Sequence, residues 1–192
     1  MSYIKPHWPY IVPAPYHDMY GDEHVPPAMR SEVERENPHP VYGAYMEGRV
    51  ARAFGKEEVR RKVIPAYMGL IRQCDDQLGR LLDHLDATGK LADTMIVLTS
   101  DHGDYLGDHW LGEKDLFHEP SVKIPLIIHD PRKEADATRA RSVTRWSRAS
   151  TLPQPSSRRL AGRFPIMSSR GVPSAMAVRR TAFMARFRHQ RI

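Results

Sequence analysis

Ten side chains that can ligate metals, carry charge or exchange protons lie between residues 101 and 119 of this 192-residue chain. A carboxylate and an imidazole in sequence, Asp101 and His102, can converge on one metal ion, and Gly103 lets the backbone turn away from it. Lys114 can neutralise an anionic substrate or a developing oxyanion. A solvated loop whose charges pair with one another is the alternative, and spacing alone leaves it open. The ten residues are Asp101, His102, Asp104, Asp108, His109, Glu113, Lys114, Asp115, His118 and Glu119.

Two apolar runs flank this loop and predict the strands that position it. Residues 95–99 indicate a buried strand, apolar on both faces as in a parallel sheet, and residues 124–128 indicate a second short strand. Ligands of open α/β sheets gather beyond the carboxyl ends of strands, and Asp101 and His102 directly follow such an end. The order of helix, strand, polar loop and strand therefore predicts an α/β fold.

The region before the strands divides into a proline-rich segment and a helix. Residues 1–47 hold eight prolines, which deny a long helix and predict an ordered, extended segment laid over other elements. Apolar residues then recur every three or four positions over 56–88, as in an amphipathic helix that ends at Gly89. Pro65 either kinks this helix or lies in the first turn of its main part. The periodic residues are Val59, Val63, Tyr67, Leu70, Cys74, Leu78, Leu81 and Leu85.

Four ordered motifs together resemble the sulfatase family, which belongs to the alkaline-phosphatase-like superfamily. The loop Ser-Asp-His-Gly-Asp at 100–104, followed by Gly-Asp-His at 107–109 and by Lys114, is similar to the C-terminal metal loop of that family. Residues 75–82 resemble the helix before that loop, and residues 119–127 the segment after it. Pro-His-Trp-Pro at 6–9 resembles the Pro-His-x-Pro loop of the family. The resemblance implies a fragment of an alkaline-phosphatase-like sandwich, in which helices cover a central mixed or parallel sheet.

The resemblance also implies a role for four residues. Asp101 and His102 would ligate the metal, while His7 and Lys114 would bind the sulfate, phosphate or phosphonate group, and His7 could assist the leaving group. Asp-His at the metal loop is closest to the phosphonate monoester hydrolase branch, because many sulfatases have asparagine in place of the histidine. An imidazole ligand favours manganese, with calcium as an alternative, since calcium prefers oxygen ligands. Expected substrates are small sulfate or phosphonate esters, and intact relatives are often oligomeric.

Two parts of the family pattern are missing from this chain. The family nucleophile is a cysteine, converted to formylglycine, in Cys-x-Pro-x-Arg, whereas Cys74 lies in Gln-Cys-Asp-Asp-Gln. Residues 153–157 are superficially similar to this motif but do not match it, because Pro153 and Ser157 occupy the positions of the cysteine and the arginine. The aspartates of the first family strand are absent too. We therefore expect a truncated C-terminal part of the hydrolase domain, inactive by itself.

The charge of the chain separates two segments. Residues 137–192 hold 13 of the 29 basic residues and no acidic residue, whereas residues 1–136 hold the other 16 and all 23 acidic residues. We predict a partial sulfatase or phosphonate hydrolase domain over 1–136, followed by a basic arginine-rich tail over 137–192. The tail has three possible explanations: a shifted reading frame, a disordered arm that binds the phosphates of nucleic acid or of an anionic membrane, and a small domain. A non-catalytic nucleic-acid-binding protein is accordingly the alternative function.

Several classes of protein are excluded, and several residues receive structural interpretations. The chain has a single cysteine, which excludes an intramolecular disulfide framework. It has no run of 18 apolar residues, which excludes a transmembrane helix. The N-terminal residues lack the layout of a signal peptide, which predicts a cytoplasmic location. We expect His118 and Glu119 to fix the loop to the next strand, and Cys74 to lie in the core. For the remaining candidates we expect surface positions (His17, His24 and His39), loop packing (Asp104, Asp108 and His109) and a helix surface or an ion pair (Asp75 and Asp76).

Overall fold

The computed structural model describes residues 1–138, which form parts of two compact units. The first unit contains Met1–Leu81 and Ser100–Pro125, and the second contains Leu82–Thr99 together with 126–138 among the described residues. Apart from its first two positions, the basic tail predicted over 137–192 lies outside the described residues. Within residues 1–138, no helix combines the length and apolar character that crossing a membrane requires.

The described residues form five α-helices and two β-strands. In chain order they are α1 (Val33–Glu36), α2 (Pro40–Met46), α3 (Arg49–Phe54), α4 (Glu57–Ala87), β1 (Ile96–Thr99), α5 (Glu119–Val122) and β2 (Leu126–His129). Short 3-10 helices lie at Tyr16–Asp18, Asp22–His24, Leu91–Asp93, Asp108–Trp110 and Lys133–Thr138.

Helix α4 confirms the amphipathic helix predicted over 56–88, within one residue at each end. Pro65 lies inside it, and the helix continues through that position. The helix stops where Gly89 adopts a φ of 69°, a left-handed conformation that costs glycine little. The backbone N–H of Lys90 then donates to the carbonyl of Leu85 at 2.8 Å, which closes the last turn as in a Schellman motif.

The proline-rich segment before α4 contains only short helices, as its composition predicts. Pro40 occupies the first turn of α2, where its missing N–H costs nothing, and the His39 ring accepts a hydrogen bond from the Val41 N–H. The contacts of the Tyr10 ring confirm that the segment packs over other elements. Its ring makes edge-to-face contacts with Phe54 at 6.3 Å and Tyr67 at 6.0 Å, measured between ring centroids.

The core of the first unit holds the chemistry-bearing loop against α3 and α4. Phe54, Ile64 and Leu106 form one buried cluster, and a second contains Ala51, Tyr105 and Leu111. Both clusters therefore combine loop residues with helix residues. Burial of this apolar surface stabilises the loop conformation, since each fully buried large side chain contributes roughly 1.5–3 kcal/mol.

Arg60 of α4 is a buried cation that bonds to the same loop. Its side chain is fully buried, and its Nε donates to the carbonyl of Leu106 at 3.1 Å. The guanidinium also binds both carboxylate oxygens of Glu57, at 2.8 and 2.9 Å, and donates to the carbonyl of Pro26 at 3.0 Å. These bonds compensate the charge for its loss of water, so that Arg60 joins the proline-rich segment, α4 and the loop.

The two strands pair in the second unit, but not as the sequence suggested. β1 and β2 are antiparallel, with Ile96 opposite His129 and Thr99 opposite Leu126. The expectation of a parallel arrangement is wrong for this pair. A parallel pair needs a crossover connection, usually a full helix, whereas the residues between these strands contain the four-residue α5 and the 3-10 helix Asp108–Trp110, both too short to cross a sheet. Val97 is also 41% exposed, so β1 is not buried on both faces.

Candidate metal and anion site

The loop after β1 is shaped by bonds to its own backbone. Ser100 Oγ donates to the carbonyl of His102 at 2.6 Å, and the Gly103 N–H donates to the carbonyl of Ser121 at 2.7 Å. A Cβ at position 103 would collide with the carbonyl oxygen of Pro120. Glycine is therefore required here because two backbone segments meet, and this close approach brings 103 against the segment at 120–121.

Asp101 and His102 are consecutive residues whose side chains each offer an atom that can ligate a metal, a carboxylate oxygen and an imidazole nitrogen. The His102 Nδ1 lies 2.7 Å from the carbonyl of Gly103, and because a carbonyl can only accept, Nδ1 carries the proton. The lone pair on Nε2 is thereby left for another partner, in the pattern that holds histidines toward metals. Nε2 lies 3.8 Å from Oδ2 of Asp101, whose other oxygen accepts from the His102 N–H at 3.1 Å.

Asp101 is held in its charged form. Its side chain is 88% exposed. Partial burial raises the pKa of Asp101, but backbone hydrogen bonds and the nearby His102 ring outweigh that effect and leave the pKa below its ordinary value. An ionised carboxylate next to an imidazole nitrogen is a suitable pair of ligands for a divalent transition metal. Within residues 1–138, no group of three or more such side chains is placed to hold a metal ion.

His7 and Lys114 meet, although 107 positions separate them in the chain. The Lys114 Nζ lies 3.3 Å from the His7 Nε2. The Nδ1 of His7 lies 2.8 Å from the Trp8 carbonyl and so carries the proton, which leaves Nε2 to accept from the lysine. The His7 ring also lies edge-on to the His102 ring, with 6.2 Å between centroids. The four residues singled out in the sequence therefore lie in one neighbourhood of the first unit.

A hydrogen bond that the sequence did not suggest connects the two halves of this neighbourhood. The Tyr10 hydroxyl donates to Oδ2 of Asp104 at 2.8 Å, and the Leu106 N–H donates to Oδ1 at 3.1 Å. Burial is the main cause that raises the pKa of both Tyr10 and Asp104. Tyr10 lies three residues after His7, and Asp104 two residues after His102. The only signal in the sequence was this proximity to the predicted ligands.

The loop-packing roles expected for Asp108 and His109 are confirmed, whereas the bonds of His118 and Glu119 lead to Tyr105 and Lys123 and not to the next strand. Asp108 is buried and accepts from the Met29 N–H at 2.9 Å, while the His109 ring pairs with Glu34 at 2.8 Å. His118 bonds the Tyr105 hydroxyl at 2.9 Å, and Glu119 pairs with Lys123.

The helix residues outside the loop also match expectation, with one difference. Asp75 and Asp76 form ion pairs with Arg72, at 3.8 and 2.7 Å. Cys74 is partly rather than fully buried, and its thiol donates to the carbonyl of Lys5 at 3.3 Å. Burial raises the pKa of this thiol, which argues against a thiolate nucleophile at this position.

Comparison with known proteins identifies the family. The family model described as Sulfatase matches residues 1–152, beyond the end of the domain expected at 136. The chain belongs to the sulfatase family. A multifunctional alkaline phosphatase superfamily protein from Trinickia caryophylli is 38% identical over 146 residues, and an arylsulfatase from Clostridium perfringens is 33% identical over 131 residues. Each alignment covers 68% of this chain but only 28% and 27% of the relative, so the chain spans about a quarter of their length.

Solved structures of phosphonate monoester hydrolases are similar to this sulfatase-family chain. The enzyme from Silicibacter pomeroyi superposes with a TM-score of 0.61 at 32% identity, and that from Agrobacterium radiobacter with 0.61 at 31%. Each match covers 67% of this chain and 28% of the other protein. The described residues therefore form part of an alkaline-phosphatase-like α/β fold, as the four motifs predicted. The family is generally metal-dependent, which agrees with the donor pair at Asp101 and His102.

Proposed function

We propose that this chain contributes the metal and anion site of a sulfatase-type enzyme that hydrolyses sulfate, phosphonate or phosphate esters of small molecules. The observation that supports the proposal is the meeting of His7 with Lys114 beside His102, because it brings a cation and an imidazole from distant segments next to a second imidazole and its neighbouring carboxylate. In this reading Asp101 and His102 ligate the metal, and His7 and Lys114 bind the transferred group.

The geometry suggests how His7 and Lys114 share an anion. Without substrate, Lys114 donates to the unprotonated Nε2 of His7. An entering anion attracts the ammonium group and favours a proton on Nε2, so that both groups then donate to its oxygens. The same proton could pass to the leaving oxygen, which would make His7 the general acid. A divalent ion held by Asp101 and His102, with manganese favoured and calcium the alternative, would supply the remaining positive charge.

The metal assignment is tested by manganese binding to the full chain. We expect Asp101→Ala and His102→Ala to weaken binding, measured by the electron paramagnetic resonance signal of free Mn²⁺. Asp93→Ala removes an exposed carboxylate of the second unit and is the matched control. Equal affinities for Asp101→Ala and Asp93→Ala would show that the ion binds non-specifically, which contradicts the assignment.

We further propose that the chain alone has no appreciable esterase turnover. Covalent catalysis requires an activated nucleophile, and no Cys-x-Pro-x-Arg occurs in the 192 residues. An assay of the purified chain with manganese and an aryl sulfate or aryl phosphonate ester tests this. Turnover above that of a Lys114→Ala control would refute it.

The alternative function, nucleic-acid binding through the arginine-rich segment, rests on one sequence observation. Residues 137–192 carry 13 basic and no acidic side chains, which suits phosphate contacts. Such binding should weaken steeply with salt and disappear when residues 137–192 are deleted. Salt-independent binding, or binding that survives the deletion, would argue against it. The cytoplasmic location and the oligomeric state stay predictions.

A further inference from the structure

Trp8 is a large aromatic side chain that remains at the surface next to the anion-binding His7. Its indole ring lies 6.3 Å from the His7 ring, centroid to centroid, at an interplanar angle of 29°. The residue is nevertheless 52% exposed, so it forgoes much of the stabilisation that burying an indole would provide. Aromatic residues that keep one face free at a binding site often serve recognition, because they offer a large contact area at low entropic cost.

The loop that carries Trp8 is held by its backbone. The ammonium group of Lys5 donates to the carbonyls of His7, at 3.2 Å, and Pro9. The Cys74 thiol of α4 donates to the carbonyl of Lys5, and the His7 ring donates to the carbonyl of Trp8. All acceptors are backbone oxygens, so the side chain at position 8 can change without removing any of these bonds. The indole is thus presented by a braced loop whose shape does not depend on it.

Position 8 directly follows the histidine that is proposed to bind the anion. A side chain at this position can therefore contact the part of a substrate that differs among esters. For sulfate and phosphonate esters, that part is the group attached through the ester oxygen.

We propose that Trp8 is a specificity-determining residue that stacks on a planar aromatic leaving group. This inference rests on the proposed function, since His7 and Lys114 must hold the anionic end of the same substrate. An aryl ester places its ring one oxygen atom from that end, while Trp8 adjoins His7 in the chain and in space. Offset aromatic pairs bind more strongly than area burial alone predicts, by roughly three- to tenfold in affinity.

The test compares phenyl sulfate with cyclohexyl sulfate, which has a ring of similar size but no π system, and with inorganic sulfate. Affinities for the full chain are measured by NMR titration of the histidine and indole resonances. We expect phenyl sulfate to bind roughly three- to tenfold more tightly than cyclohexyl sulfate. Trp8→Phe should keep that preference, whereas Trp8→Leu, which retains apolar bulk, should abolish it. Phe117→Leu changes another exposed aromatic of the same unit and should leave the preference intact.

Two other outcomes overturn the inference in distinguishable ways. If all three anions bind and Lys114→Ala weakens them, but phenyl and cyclohexyl sulfate bind equally, the proposed anion site stands and the role of Trp8 is refuted. The same conclusion follows if Trp8→Leu keeps the aromatic preference. If no anion binds, or if Lys114→Ala has no effect on binding, the proposed anion site fails and the role of Trp8 fails with it.

Discussion

Removal of a single hydroxyl group, by Tyr10→Phe, tests whether the proline-rich segment is tied to the chemistry-bearing loop as described. The variant deletes the donor that bonds Oδ2 of Asp104 at 2.8 Å and leaves the ring in its contacts with Phe54 and Tyr67. Asp104 then keeps the Leu106 N–H on its other oxygen. A hydrogen bond to a charged group contributes about 1.5–3 kcal/mol, so we expect the free energy of unfolding to fall by about 2 kcal/mol.

Urea denaturation followed by far-UV circular dichroism measures this loss. Tyr16→Phe is the matched control, because its hydroxyl also bonds a carboxylate, that of Asp76 at 3.1 Å, but this carboxylate is already paired with Arg72. We expect the control to cost less than about 1 kcal/mol, because Asp76 keeps its ion pair with Arg72 when the hydroxyl is removed.

A double-mutant cycle that combines Tyr10→Phe with Asp104→Asn isolates the pairwise energy from other effects of each substitution. A coupling energy near zero would refute the reasoning, as would a loss for Tyr10→Phe no larger than that for Tyr16→Phe. Either result would mean that the two segments are held together by apolar packing alone. The His7 and Lys114 side chains would then depend on the core, rather than on the hydrogen bond, for their approach.

Three further variants probe the same framework. Arg60→Ala should cost about 3–5 kcal/mol in urea denaturation, because it removes a fully buried side chain and leaves the Leu106 and Pro26 carbonyls without their donor. Arg61→Ala, at an exposed pair with Asp22, should cost less than about 1 kcal/mol, and similar losses would contradict the account of Arg60. Gly103→Ala should cost about 1–3 kcal/mol, since its Cβ meets the Pro120 carbonyl, and an unchanged melting temperature would show that the loop can relax. Burial first, and then the neighbouring His109, lower the pKa of His118, while Glu34 opposes them. The unfolded chain therefore binds the proton more readily, and stability should fall as pH drops below about 6.5. Melting temperatures measured from pH 7.5 to 5 should show this slope, and His118→Gln should flatten it. An unchanged slope in His118→Gln would assign the pH dependence to other groups.

Some features of the structure follow from interactions between residues close in sequence. The apolar period over 56–88 specified α4 within one residue at each end, because neighbouring turns of a helix interact every three or four positions. The same locality explains why the proline content of the first segment correctly excluded a long helix. The relative direction of the two strands, by contrast, does not follow from residues close in sequence. The preference of apolar runs for parallel sheets was outweighed by a connection that contains no long helix, and β1 pairs antiparallel with β2.

What the sequence alone determined about this protein is its family and the residue types available for chemistry. The motifs at 6–9 and 100–109 are read directly from neighbouring residues, and the family match over 1–152 agrees with them. Only the tertiary structure decided that His7 reaches Lys114, that Tyr10 bonds Asp104, and which nitrogen of His102 carries the proton. The first two pairs lie 107 and 94 positions apart, and no periodic pattern encodes such distances. They form because Phe54, Ile64 and Leu106 bury apolar surface together and Arg60 bonds the loop, which brings distant segments to one place.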